Sequence, residues 1–358
     1  MDAERKPTMN DILSRFALEG TPISCARYGS GHINETYLAV TNRPHLYILQ
    51  KLNGFVFPNL RGVMDNIVAV TNHLRQKTDD PSRTLTLVPT RDGRDYLVTE
   101  QGDYWRLYEF VLNSVCLEKA ESVDDFRQSA AAFGEFQNQL ADFPVQSLVE
   151  IIPRFHDTPQ RFCQLHAAIE SDPAGRAAGA REEIQGYLSY ERDAGELMNL
   201  LKNGDLPLRV THNDTKLNNV LLRESDHRPL CVIDLDTVMP GLAANDFGDS
   251  IRFGASTAAE DEQDVGRVQL SLELYRAYAD AFLNACGSRL TNKERETLPL
   301  GAKLMTLECG ARFLADYLNG DVYFHTQYPE HNLVRCRTQL KLVREMEKHW
   351  AAMIAPLG

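Results

Sequence analysis

Leu208-Arg-Val-Thr-His-Asn-Asp-Thr-Lys-Leu-Asn-Asn-Val-Leu-Leu222 sets a dense polar loop, His212 to Asn219, between two apolar runs of strand character. Twelve residues after Asn219, Cys231-Val-Ile-Asp-Leu-Asp236 pushes two carboxylates out of an apolar strand. Asp214 precedes Asn219 by five residues and Asp234 by twenty. A solvated turn has no use for so many functional groups between buried flanks. Magnesium is a hard cation that prefers oxygen donors, so the Asn219 carbonyl and the Asp234 carboxylate suit it. Asp214 is placed to align a hydroxyl and take its proton, and Lys216 to offset the charge of a moving phosphoryl group. His212 is better suited to bracing the loop than to acting as a base. The bland alternative is a polar turn and a strand-end Asp that caps a helix. It accounts for any one of these residues but not for four types at fixed offsets.

Outward from this loop, the first third of the chain reads as strands around one helix. Strand character covers 24–28, 33–40, 46–52, 85–89, 95–100 and 105–112. Val63, Ile67, Val70 and Leu74 recur with helical spacing over 60–77. From residue 122 helices dominate, over 122–140, 158–169, 178–201, 270–285, 298–318 and 332–355. The expectation is an α+β, bilobal chain. A small β-rich lobe over 1–112 covers a nucleotide, and a large helical lobe over 113–358 holds the catalytic loop and the acceptor site.

In the small lobe, Gly29-Ser30-Gly31 joins the first two strands, and the exposed amides of such a turn suit phosphates. An ordinary hairpin explains the same glycines. Lys51, at the end of the third strand, is the cation this lobe offers to a nucleotide phosphate, or else a solvated strand-end lysine. The loop spacing equals that of H-R-D-x-x-x-x-N in protein kinases, which a magnesium-binding Asp follows. Asp246-Phe247-Gly248 spells the kinase tripeptide, yet it lies 32 residues after Asp214 and does not leave an apolar strand. Asp246 is therefore read as a loop brace or the start of the next segment, and Asp234 as the metal ligand. The 60–77 helix has no Glu, so the Lys–Glu pair of protein kinases is missing.

Glu308, Arg312 and Asp316 fall at i, i+4 and i+8 of one helix, with Tyr323 close behind. They form either a salt-bridge ladder or a set of donors and acceptors for a small hydroxylated substrate. His156-Asp-Thr-Pro159 reads as a helix start capped by Asp157 or Thr158.

Composition narrows the function class. Fifty acidic against 38 basic residues give a formal charge of −12 over 358 residues, which argues against nucleic-acid or anionic-membrane binding. The seven cysteines are scattered and never spaced as CxxC, which disfavours disulfide scaffolds and zinc sites. Apolar runs are too short for a membrane span, and the N-terminal stretch has no apolar signal core. The expectation is a cytoplasmic enzyme with no obligate protein partner.

His212 to Asn219 with Val232-Ile-Asp-Leu-Asp236 resembles the aminoglycoside phosphotransferase and choline kinase superfamily, which has a protein-kinase-like fold. Within it, Gly31-His-Ile-Asn34, Phe155-His-Asp-Thr-Pro159, Asp246-Phe-Gly-Asp-Ser-Ile-Arg252 and Arg312-Phe-Leu-Ala-Asp-Tyr317 are similar to N-acetylhexosamine 1-kinases. The resemblance runs from about residue 14 to 347. It implies transfer of phosphate from ATP, with Mg2+, to the anomeric hydroxyl of N-acetylglucosamine and N-acetylgalactosamine. It also implies that Asp214 is the base, that Asn219 and Asp234 hold the metal, and that Asp236 touches a second ion or orients the first. The sugar would be lined by His32, Asp214, Glu308, Arg312 and Tyr323, with Phe110 and Val111 in a hinge facing adenine.

Overall fold

The computed structural model describes residues 7–29, 31 and 33–357. The expectations at Ser30 and His32 lie outside the described residues. After a short helix, α1 (Met9–Leu13), the strands β1 (Pro22–Arg27), β2 (Glu35–Thr41), β3 (Leu46–Lys51), β4 (Leu97–Val98) and β5 (Tyr104–Glu109) form an antiparallel sheet in the order β1-β2-β3-β5-β4. Residues 85–89, expected as a strand, touch this sheet through a single bridge, Leu87 with Tyr108.

Side chains alternate across a strand, so register decides which face each residue serves. Tyr47 and Leu49 of β3 join Trp105 and Leu107 of β5 in one apolar cluster with Ile12 and Leu13 of α1. Ile48 and Tyr108 point the other way, onto Val63, Met64, Ile67 and Val70 of α2 (Leu60–Arg75). The helical spacing of these α2 residues is thus a burial face. Asn66 ties α2 to what lies beneath: its amide donates to the carbonyls of Val149 and Val238, each at 2.8 Å.

β6 (Ser114–Cys116) leaves the first sheet and pairs with a strand far along the chain. Helices α3 (Val123–Gln139), α4 (Thr158–Ser171), α5 (Arg181–Leu188) and α6 (Glu196–Asn203) precede the polar loop 212–219. The helix expected over 178–201 is thus two, separated by a 3-10 turn at Asp193–Gly195. β7 (Arg209–Thr211) pairs with β10 (Met239–Gly241), and β8 (Val220–Arg223) lies between β6 and β9 (Pro229–Val232). The polar loop therefore hangs between two small sheets.

The rest is helical: α7 (Ala243–Gly254), α8 (Leu272–Cys286), α9 (Asn292–Leu318), α10 (His331–Lys348) and α11 (Trp350–Ile354). α7 was not expected, because Asn245, Asp246, Gly248 and Asp249 are poor helix formers. Packing decides instead. A Cβ on Gly248 would sit 2.3 Å from the Gly301 carbonyl oxygen of α9, so the two helices meet backbone to backbone. α9 begins at Asn292 rather than 298. A capping box between Thr291 and Glu294 starts it, and Pro299 is carried inside. Phe247, Tyr278 and Phe282 centre the large core.

Candidate active site

The catalytic loop is held from below by α7. Asp246 accepts the backbone N–H groups of His212 (2.9 Å) and Asn213 (2.8 Å) and the Gln137 amide (2.9 Å). It is the loop brace expected from the sequence. Burial pushes its carboxyl up, and these donors oppose that rise. Asp249 adds a third anchor, accepting the Thr215 N–H at 3.0 Å while Arg252 holds its other oxygen. His212 is fully buried; its Nε2 meets the Ile233 carbonyl at 2.8 Å, and the ring stands edge-on to Phe133. It joins the loop to the strand that ends at Asp234.

Asp214 stands at the lip of the cleft. Lys216 Nζ lies 2.8 Å from one of its oxygens, and the Asn219 amide donates to the other at 3.0 Å. Burial works to raise the Asp214 carboxyl, but Lys216, His212 and Asn219 hold it below the ordinary value. It stays an anion. Burial disfavours the Lys216 ammonium, yet Asp214 and then Asp249 raise it well above the usual lysine range. Asn219 also donates to the Asp214 carbonyl at 2.7 Å, so both hydrogens of its amide are spent and its oxygen stays available.

Asp234 sits in left-handed backbone at φ 56° and accepts no hydrogen bond among the described residues. Its surface is open to the cleft while protein crowds it at longer range. That loss of solvent, with the nearby charges of Asp236 and Asp214, pushes its carboxyl up to about 7. A site where carboxylates crowd and one lacks a donor suits a divalent cation, which reverses that repulsion. The pair Asn219 and Asp234 therefore fits the expected metal.

Asp236 does not share that role. It is buried, and its two oxygens are taken by the Arg106 guanidinium and the Asn34 amide. The expectation of a third metal ligand gives way to a latch: Arg106 and Asn34 come from the small lobe, Asp236 from the large one. Asn34 also accepts the Asn53 N–H at 3.0 Å, fixing the start of β2, just after the glycine turn. Gly29, at the turn, has φ 75° and open space around it.

Lys51 is corrected by the same register. It lies opposite Trp105, on the face away from Arg106, with Nζ 2.8 Å from Asp103 and over the Trp105 ring. Gln50, one residue earlier, accepts from Arg106 Nε at 2.9 Å. The small-lobe cation facing the aspartates is Arg106. Burial lowers its guanidinium, and Asp236 raises it further the other way. A lone arginine in the apolar run Tyr104–Glu109 was the signal for it. Phe110 follows β5, its N–H on the Leu46 carbonyl at 3.1 Å and its ring edge-on to Tyr28. The Val111 carbonyl already accepts the Ser114 hydroxyl at 2.7 Å.

Glu308, Arg312 and Asp316 form no ladder; each serves a different element. Glu308, 1% exposed, meets His156 Nδ1 and the Thr158 hydroxyl, each at 3.0 Å. Burial would raise its carboxyl, but His156, Arg161 and Arg312 keep it below the ordinary value. His156, read as part of a helix start, also reaches the Asn213 carbonyl at 3.2 Å and so links α9 to the catalytic loop. Asp157 does cap α4, accepting the Gln160 N–H at 3.0 Å. The Arg312 guanidinium lies 5.4–5.7 Å from the ring centres of Phe155, Tyr323 and Phe324, with no ion pair among the described residues. Asp316 accepts the N–H groups of Val322, Tyr323 and Phe324, setting the turn that carries Tyr323.

Residues 24–281, well over half of the chain, match the phosphotransferase enzyme family. The chain belongs to that family. Solved structures of this phosphotransferase's fold support the kinase-like architecture. An aminoglycoside phosphotransferase from Alicyclobacillus acidocaldarius aligns over 99% of this chain and 98% of its own at 12% identity, with a TM-score of 0.63. An amicoumacin kinase in complex with AMP-PNP, Ca2+ and Ami covers 92% of this chain and 90% of its own at 15% identity, TM-score 0.61. A microcompartment-associated aminopropanol kinase covers 98% of both chains at 17% identity, TM-score 0.59. The phosphotransferase has no helix, among the described residues, long and apolar enough to cross a membrane.

Proposed function

We propose that this phosphotransferase moves the γ-phosphoryl group of ATP to the anomeric hydroxyl of N-acetylhexosamines. The observation that carries the reading is the charge of the acceptor side. Glu308 is buried and already spent on His156 and Thr158, while Arg161 and Arg312 stand beside it as two guanidiniums. Burial lowers the Arg161 guanidinium first and the neighbouring Arg312 second, against the pull of Glu308. Amine-bearing acceptors call for free carboxylates, and among the described residues the carboxylates of this helix face, Glu308 and Asp316, are both committed to protein donors. Arginine among aromatic rings suits a neutral sugar: the rings pack on its C–H face, and Arg312 donates to an amide carbonyl.

In this reading Asp214 aligns the anomeric hydroxyl and takes its proton as the oxygen bonds to γ-phosphorus. The bond from that phosphorus to the β-γ bridging oxygen breaks and ADP leaves. Lys216 offsets charge on the transferring group, and Asn219 and Asp234 hold magnesium, which when bound neutralises charge on the phosphates. Arg106 and Asn34 occupy Asp236 and so keep it out of the metal site. The test is a comparison of acceptors by ADP release. Expected is a kcat/KM for N-acetylglucosamine or N-acetylgalactosamine at least about 100-fold above choline, aminopropanol or an aminoglycoside. Faster turnover of a cationic acceptor would overturn the sugar assignment and leave the phosphotransferase chemistry standing.

A further inference from the structure

His156 makes contacts that its place at the start of α4 does not explain. Its side chain is 8% exposed and leaves the capping of α4 to Asp157. Nδ1 lies 3.0 Å from Glu308 on α9, one turn before Arg312, and Nε2 lies 3.2 Å from the Asn213 carbonyl. The Phe155 ring packs on the imidazole, with centres 4.4 Å apart.

That carbonyl belongs to the peptide unit that begins Asp214. The N–H at the other end of the same unit donates to His212 Nδ1 at 3.3 Å. Two histidines thus grip one peptide plane from opposite edges. Asn213 has little freedom to compensate. It sits in left-handed backbone at φ 65°, its N–H is held by Asp246, and its amide donates to the Thr211 and Thr237 carbonyls. With Asn213 fixed, the orientation of the Asp214 backbone depends on the plane that the two histidines hold.

The partners of His156 also define the state of its ring. Glu308 is kept an anion by His156, Arg161 and Arg312 against its burial, and its other oxygen accepts the Thr158 hydroxyl. The Asn213 oxygen is an amide carbonyl. Neither can donate, so both contacts are hydrogen bonds only when each ring nitrogen carries a proton. Glu308, in contact, favours that second proton, and the guanidiniums of Arg161 and Arg312 oppose it.

We propose that His156 is a positioning residue for phosphoryl transfer: a doubly protonated ring that passes the placement of α9 to Asp214 through the Asn213–Asp214 peptide. This rests on Asp214 as the base and holds for any acceptor.

Two substitutions divide the ring between its contacts. His156→Asn keeps an N–H where Nδ1 stands and leaves the Asn213 carbonyl without its donor. His156→Gln keeps one where Nε2 stands and releases Glu308. Both are assayed by ADP release with MgATP and N-acetylglucosamine, or with a faster acceptor if one is found. His156→Asn is expected to lower kcat about 10- to 100-fold, with both KM values within about threefold of wild type. His156→Gln is expected to keep a kcat at least about fivefold above that of His156→Asn. Near-normal kcat in His156→Asn, equal kcat in the two variants, or a loss confined to KM would overturn the inference. Asp214→Asn, assayed alongside, separates it from the base assignment. Near-normal turnover there removes the base and the inference together, whereas an inactive Asp214→Asn beside equal His156 variants removes the inference alone. Should neither variant fold, 15N NMR of the wild-type chain decides. At neutral pH it is expected to show one histidine ring with N–H protons on both nitrogens and a through-space contact to Phe155. A single N–H on that ring would overturn the inference.

Discussion

Replacing Arg106 by Met is the most informative single perturbation of the lobe junction. Arg106 and Asp236 are 1% and 3% exposed, so neither charge is hydrated when its partner goes. Breaking a buried pair by removing one member costs about 3–5 kcal/mol, because the survivor stays buried and uncompensated. Asn34 still donates to Asp236, and a hydrogen bond to a charged group offsets about 1.5 kcal/mol. The net expectation is a loss of about 1.5–3.5 kcal/mol. Asp236→Asn orphans Arg106 instead, which keeps Gln50 as an acceptor, and should cost a similar amount. The double variant removes both charges, so its cost should fall short of the sum of the singles by at least about 1.5 kcal/mol. Urea unfolding with linear extrapolation reads all four proteins. A loss under about 1 kcal/mol for Arg106→Met, the behaviour of an exposed pair, would refute the latch. Strict additivity in the double variant would refute it as well.

Asp214→Asn should lower kcat by about 10²- to 10⁴-fold without loss of fold, measured by ADP release, and near-normal turnover would remove Asp214 as the base. Lys51→Met should leave the KM for ATP within about twofold, since the lost contact is a partly exposed ion pair with Asp103 on the outer face; a large rise in that KM would return Lys51 to the nucleotide site. Glu308→Gln addresses pH. Its carboxyl is held below the ordinary 4.5, so the stability it contributes is complete above 4.5 and is lost as pH falls through its lower, folded value. Wild type should therefore exceed Glu308→Gln in unfolding free energy at neutral pH, with the gap closing only below 4.5. A gap independent of pH, followed by urea unfolding, would mean that the charge on Glu308 contributes nothing.

The catalytic loop was legible because it is local. Asp214, Lys216 and Asn219 lie within six residues, and one turn of backbone brings them together whatever surrounds it. Asp246 could be separated from the proposed metal ligands for a similar reason, since it does not leave an apolar strand. Parity was not legible. Lys51 and Arg106 differ in role because β3 and β5 pair with Gln50 opposite Arg106, and no single strand shows its register. Asp236 looked like a metal ligand until its partners, 130 and 202 residues away in sequence, were in place. α7 was missed because its helix is imposed by α9 at Gly248 and Gly301, against the preference of its own residues. The Glu308 face was read in one dimension, as a ladder or a ligand set. The structure divides it among His156, a ring of aromatics and the 322–324 turn.

The most direct test of the account is proton and phosphorus NMR of the product formed from N-acetylglucosamine with MgATP. The account predicts an anomeric proton split by coupling to phosphorus, with one ADP released per sugar phosphate. A phosphate at C6 or another hydroxyl, or no transfer to the sugar by a sample that phosphorylates an amino alcohol, would contradict it.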